Sequence, residues 1–138
     1  MAKKEEDAQI MQQQYLEMQM IEQQLKHIQQ QLTTVEQQSM EIEFIIESLE
    51  NLSKVENGSD ILVPFSSGIF AKAKLTDNKE LVVNVGNNTT VTKNVPDVQK
   101  MLKQQVEEMK RVGKELTDKF AELANKMQSM QSGLMKGE

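Results

Sequence analysis

Apolar residues recur at alternating intervals of three and four from position 11 to position 49, at Met11, Gln14, Met18, Ile21, Leu25, Ile28, Leu32, Val35, Ser39, Ile42, Ile46 and Leu49. Only Gln14 and Ser39 depart from the apolar rule, and the intervening residues are mainly Gln and Glu. Such spacing gathers the apolar side chains into one narrow stripe along an α-helix. No Gly or Pro precedes Gly58, so the pattern predicts one unbroken helix from about residue 6 to about residue 55, roughly 70 Å long at 1.5 Å per residue. A helix this long with so narrow a stripe is not stable alone and must lay the stripe against another helix.

A second stripe follows Pro96 and Asp97, which together predict a helix start with Asp97 as cap. Leu102, Val106, Met109, Gly113, Leu116, Phe120, Leu123, Met127, Met130 and Leu134 continue the spacing, with Gly113 the one position that is not apolar and bulky. If residues 56 and 96 lie side by side, Ser39 comes level with Gly113. Two small residues then meet at one height, either as a bend point or as a close approach of the helices.

Between the stripes the period falls from 3.6 to 2. Ile61-Leu-Val-Pro-Phe leads through Ser66-Ser67-Gly68 into alternating Ile69, Ala71, Ala73 and Leu75, with Pro64 confining the first strand to an edge or a bulge. Thr76 to Lys79 turns into Leu81 to Val85, and Gly86-Asn87-Asn88 turns into Thr89 to Thr92. Two hairpins with no helix to cover them have open edges and too little core to stand alone in water. They are expected to oligomerise, turning Ile69, Ala71, Leu75, Leu81, Val83, Val85 and Val91 inward to close a β-barrel with hairpins of other subunits. The fold class is therefore mainly α with a small β part, an antiparallel two-helix coiled coil joined by two β-hairpins. It is one domain made of residues 1–56, 57–96 and 97–138.

Composition narrows the chemistry. The chain has 138 residues, 38% hydrophobic and 4% aromatic, with no Cys and no Trp. Thiolate metal sites, disulfides and cysteine nucleophiles are excluded. Net charge is −5, which disfavours nucleic acid as a ligand. Residues 1–56 carry 4 Lys and 11 acidic residues (4 − 11 = −7), against +1 each for 57–96 (4 − 3) and 97–138 (8 − 7). This asymmetry favours pairing within the chain over pairing two copies of the first helix. No stretch approaches the roughly 20 apolar residues of a membrane span, and no apolar run follows Met1 to Asp7, so the expectation is a cytoplasmic protein without membrane association. Without a secretion signal the Asn-x-Ser/Thr triplets at Asn51, Asn57, Asn87 and Asn88 are chance matches. His27 is the sole histidine and has no second ligand beside it, Gly86-Asn87-Asn88 lacks the surroundings of a phosphate loop, and Glu41, Glu43, Glu47 and Glu50 are spaced as a solvent face. Neither an enzyme activity nor a cofactor is expected.

The order of elements, with Ile61-Leu-Val-Pro64 opening the first hairpin and Val83-Asn-Val-Gly86 closing the first strand of the second, resembles the α-type subunits of archaeal prefoldins across essentially the whole chain. Two hairpins rather than one carry the α-type resemblance. Where that family often has a further glycine after the one matching Gly86, this chain has Asn87-Asn88. The resemblance implies an ATP-independent chaperone subunit that joins β subunits in an α2β4 heterohexamer with a double β-barrel body. The coiled-coil ends would hold non-native polypeptides and deliver them to a cytosolic group II chaperonin. A purely structural coiled-coil spacer and a dedicated peptide-binding adaptor are the alternatives.

The methionines supply a physical reason for the holding role. An antiparallel hairpin sets residues 8–21 beside residues 127–135, and six of the ten Met, at 11, 18, 20, 127, 130 and 135, fall there. Unbranched, polarisable Met adapts to many apolar partners. Met11, Met18, Met127, Met130 and Leu134 also occupy stripe positions, so helix pairing accounts for them equally. Ile10, Tyr15, Leu16, Met20 and Met135 lie off the stripe and have no such reason to be apolar.

Overall fold

A computed structural model describes residues 2–136; the side chains of Ala2 and of residues 134–136 lie outside the description. The elements are α1 (Ala2–Ser53), β1 (Asp60–Ser66), β2 (Ile69–Lys74), β3 (Glu80–Asn84), β4 (Thr90–Asn94) and α2 (Val95–Lys136). The chain divides into two compact units, one of Met1–Gln38 with Met109–Glu138 and the other Ser39–Glu108.

In the first unit α1 and α2 run antiparallel. Ile21 and Ile28 are buried, and Gln14, Met18, Leu25, Leu32 and Val35 are half-buried. Met109, Gly113, Leu116, Phe120, Leu123, Met127 and Met130 answer them from α2 and are also half-buried. These are the stripe positions, and the polar residues between them face water. Burial of the stripe, more than helix propensity, stabilises helices of this kind.

Helix register differs by one turn from the sequence expectation. A Cβ at Gly113 would lie 3.8 Å from Cγ1 of Val35, so Gly113 faces a valine and not Ser39. The expectation placed residues 56 and 96 side by side, whereas α1 ends at Ser53 and α2 starts at Val95. Moving those ends displaces the pairing by four residues, one helical turn. The small residue at 113 is thus met by a β-branched side chain, and no pair of small residues faces across the seam there.

In the second unit Val95, Val98 and Val106 are buried against half-buried Ile42, Ile46 and Leu49 on the α1 stripe. Gln99 Nε2 donates to the Ile46 carbonyl (3.3 Å) and to the Glu50 carboxylate (3.1 Å), pinning α2 across one turn of α1. The cap of α2 is Asn94 and not Asp97: Asn94 Oδ1 accepts a hydrogen bond from the Asp97 amide at 2.8 Å. Asp97 instead contributes its charge to the first turn, where the helix dipole favours an acid.

Each hairpin is its own two-stranded antiparallel sheet. In the first, Ile61 pairs with Ala73 and Val63 with Ala71 on one face, while Leu62 pairs with Lys72 and Pro64 with Phe70 on the other. The register shifts between Pro64 and Ser66, the bulge that Pro64 allows. In the second, Leu81 pairs with Lys93 and Val83 with Val91 on one face, and Val82 with Thr92 on the other. Its turn carries Gly86, Asn87 and Asn88 all at positive φ, with Asn87 at 51° and Asn88 at 58°. Asn is the residue after Gly that best tolerates this region, so two asparagines shape the turn.

The five residues between the hairpins are tied to both helix ends. Asn78 Nδ2 donates to the Val55 carbonyl just past α1 (2.7 Å), and the Asn78 amide donates to Asn57 Oδ1 (2.8 Å). Val95 N–H at the start of α2 donates to the Lys79 carbonyl at 2.9 Å. Asp77 Oδ1 accepts from the Lys79 and Glu80 amides, bending the chain between the two bonds.

Gly113→Ala places its methyl in ordinary contact with Val35 and removes a helix-interior glycine, so it should stabilise the chain by about 1 kcal/mol, measured as a higher urea midpoint by circular dichroism. Asn78→Ala should destabilise by about 1–2 kcal/mol and speed amide hydrogen exchange across β1 to β4, with exchange in residues 14–35 unchanged.

Candidate functional site: two exposed apolar surfaces

The first surface is on α1 in the unit that contains its N-terminal part. Ile10, Met11, Tyr15, Leu16 and Met20 are all exposed, Met20 at 61% and Tyr15 at 60%. Their exposure has a simple origin, since Ile10, Tyr15, Leu16 and Met20 sit away from the stripe that meets α2. Met11 is different, because it holds a stripe position and yet is 56% exposed. At that exposure Met11 joins the exposed set.

Met18, Met127 and Met130 are half-buried, as the stripe requires, and serve packing first. Leu134 and Met135 belong to the expected contact set but their side chains fall outside the described residues. Beside the exposed residues, Met20, Gln23, Gln24, His27, Ile28 and Gln31 of α1 line an open groove of about 490 Å³ with Leu116 and Lys119 of α2. His27 is one solvated residue of that groove wall, and no group of three or more His, Cys, Asp or Glu able to hold a metal occurs among the described residues.

The second surface is the hairpins. Among the described residues no strand side chain is fully buried, and the five buried apolar residues are all helical. Of the expected inward set, Ala71, Leu75, Leu81, Val83 and Val91 are half-buried, whereas Ile69 and Val85 are open to solvent. Leu75 and Val85 lie one residue past the ends of β2 and β3, but the ladder continues through them: Leu75 N–H donates to the Ser59 carbonyl at 3.0 Å and Val85 N–H to the Thr89 carbonyl at 2.9 Å. The pairing register puts Ala71 on the face of Ile61 and Val63, and Val83 on the face of Val91, so each hairpin has one side rich in small and branched apolar groups. The opposite sides also carry exposed Leu62, Phe70 and Val82.

Sequence reasoning missed one further exposed group, Met40, Phe44 and Ile45 on α1 in the second unit. Its signal was available, because these residues fall off the three-four stripe and are apolar nonetheless. No helix among the described residues is long and apolar enough to cross a membrane, so these groups are not parts of a helical span.

Comparison with known proteins agrees with this architecture. The sequence profile described as Prefoldin, prefoldin subunit, matches residues 21–136. Prefoldin subunit alpha of Methanococcus aeolicus is 32% identical over 124 residues, covering 90% of this chain and 84% of the relative. Prefoldin subunit alpha of Pyrococcus horikoshii is 32% identical over 99 residues, 66% of this chain and 67% of the relative. Among solved structures, a chain of the cryo-EM structure of filamentous PFD from Methanocaldococcus jannaschii superposes with a TM-score of 0.75 at 18% identity, covering 83% of this chain and 94% of that one. That likeness carries the fold, two long helices joined through two small hairpins, and the profile and the relatives carry the descent: this chain belongs to the prefoldin family.

Proposed function

We propose that this prefoldin chaperone subunit holds non-native polypeptides on the exposed apolar side chains of the N-terminal part of α1, without ATP, and passes them to a group II chaperonin. The observation that carries the reading is the exposure of Ile10, Met11, Tyr15, Leu16 and Met20, five large apolar residues within eleven positions of one helix. Exposed apolar groups gathered over about three helical turns mark a surface for other chains. Side chains with free rotation, Met above all, adapt to sequences that share only apolar character. Gln12, Gln13, Gln23 and Gln24 supply uncharged polar neighbours, and Glu17 and Glu22, both exposed, add negative charge that would favour clients carrying basic residues beside their apolar ones.

Assembly belongs to the same reading. The half-open faces around Ala71, Val83 and Val91 close a barrel with hairpins of prefoldin β subunits in an α2β4 heterohexamer, working in the cytoplasm. The relatives named prefoldin subunit alpha support a heteromeric partner, and edge strands without a core supply the driving force. Prefoldins are a chaperone family and not an enzyme family, in keeping with a surface built from side chains that bind and do not react.

Replacing Ile10, Tyr15, Leu16 and Met20 together with Gln or Ser should leave the size of the assembled complex unchanged and raise the concentration needed to suppress aggregation of a denatured client about tenfold or more. Light scattering of a diluted, denatured enzyme reads the effect. Suppression equal to that of the unaltered chain would remove this surface from the function.

A further inference from the structure

Phe44 is 70% exposed and Met40 is 68% exposed, and the family role argued for the other end of α1 uses neither. On the helical wheel Phe44 stands about 160° from both Ile42 and Ile46, the stripe residues on either side of it. It therefore points directly away from α2, and its exposure shows that the hairpins of its own chain do not cover it. Glu41 and Glu47, both exposed, flank it with negative charge.

The second unit also holds a complementary shape. Asp60, Ile61 and Leu62 of β1 with Lys72, Ala73 and Lys74 of β2 line a shallow groove of about 450 Å³, large enough for an aromatic ring. Leu62 is exposed in its lining, paired across the strands with Lys72, and Lys74 is exposed beside it. Asp60 stands across the strands from Lys74, so the groove's net charge is the single positive charge in excess, two lysines less one acid; an aromatic ring among acids and this groove answer each other in both polarity and charge.

We propose that this outward face of α1 is an assembly contact in which Phe44 of one copy of the chain enters the Leu62 groove on the first hairpin of a second copy, with Glu47 and Glu41 set against Lys72 and Lys74. The contact rests on the reading that the hairpins are an assembly surface, and it uses the face of the first hairpin that the barrel leaves outside. Each copy offers both a ring and a groove, so in a two-fold pair of copies the contact is made twice.

The absence of cysteine makes cross-linking a clean test. Two singly substituted full-length chains, Met40→Cys and Lys74→Cys, carry different affinity tags and are mixed, assembled with a prefoldin β-type subunit, and oxidised gently. A disulfide between the two tags is expected, with no mixed product from Met40→Cys and Lys126→Cys. Adding Phe44→Ser to the first chain should lower the yield about tenfold. Adding Lys72→Glu to the second should lower it about fivefold, and Glu47→Lys on the first should then restore it. Size measurement of the unoxidised mixture separates the two levels of the argument: an intact complex without the mixed disulfide overturns the contact alone, and loss of the complex by the parent chain overturns the hairpin reading with it. A disulfide only to the β-type subunit or to a bound denatured protein, obtained when one of these carries the second cysteine, also overturns the proposal.

Discussion

The structure depends on a seam only two residues wide per heptad. Each helix contributes a stripe that is apolar at three-four spacing with mainly polar residues between, and each stripe finds its cover on the other. Antiparallel pairing satisfies both at once and brings residues distant in sequence to one height, Val35 to Gly113 and Ile46 to Gln99. The connecting segment must then reverse the chain within the width of a helix pair. Asn78, Asn57 and the Lys79 carbonyl make that reversal definite by bonding to the end of one helix and the start of the other. Without those bonds the seam would still pair, but its register and the placement of the hairpins would be less sharply specified.

Most of this was legible from spacing alone. The stripe positions from Gln14 to Leu49 and from Leu102 to Met130 are all half-buried or buried, and the strands and turns fall within a residue or two of the alternation that predicts them. Register was not legible, because both stripes repeat every seven residues and slide past one another by a turn with little change in pattern. It is decided by where the helices stop, and that depends on local capping: Asn94 outcompetes Asp97 as cap because its side chain reaches the amide three residues on. Nor could periodicity reveal that Met11, a stripe position, is open to solvent. The candidate contact surface was legible where the off-stripe rule was applied, at Ile10, Tyr15, Leu16 and Met20. It was missed where the same rule was not, at Met40 and Phe44.

The two sides of each hairpin illustrate a general constraint on small sheets. A two-stranded ribbon has no interior, so apolar residues on it are either short of cover or waiting for a neighbour. Here both faces of the first hairpin carry apolar groups, with Ala71, Val63 and Ile61 on one and Leu62, Pro64 and Phe70 on the other. Lysines at 72 and 74 on the second face temper it, a common device for keeping exposed strands from indiscriminate pairing. Charge on one face and its absence on the other divide the ribbon into a side suited to permanent enclosure and a side suited to selective contact.

Only five apolar side chains of the described residues are buried, and none is sealed to below 2% exposure. For a polypeptide built this way, thermal resistance is a property of the population and not of the molecule. By mass action its melting point climbs with the supply of complementary subunits and falls when they run short. A surplus chain would spend more of its time open to proteases than an assembled one. Subunit stoichiometry in the cell would then be set by clearance of whatever is left without a place.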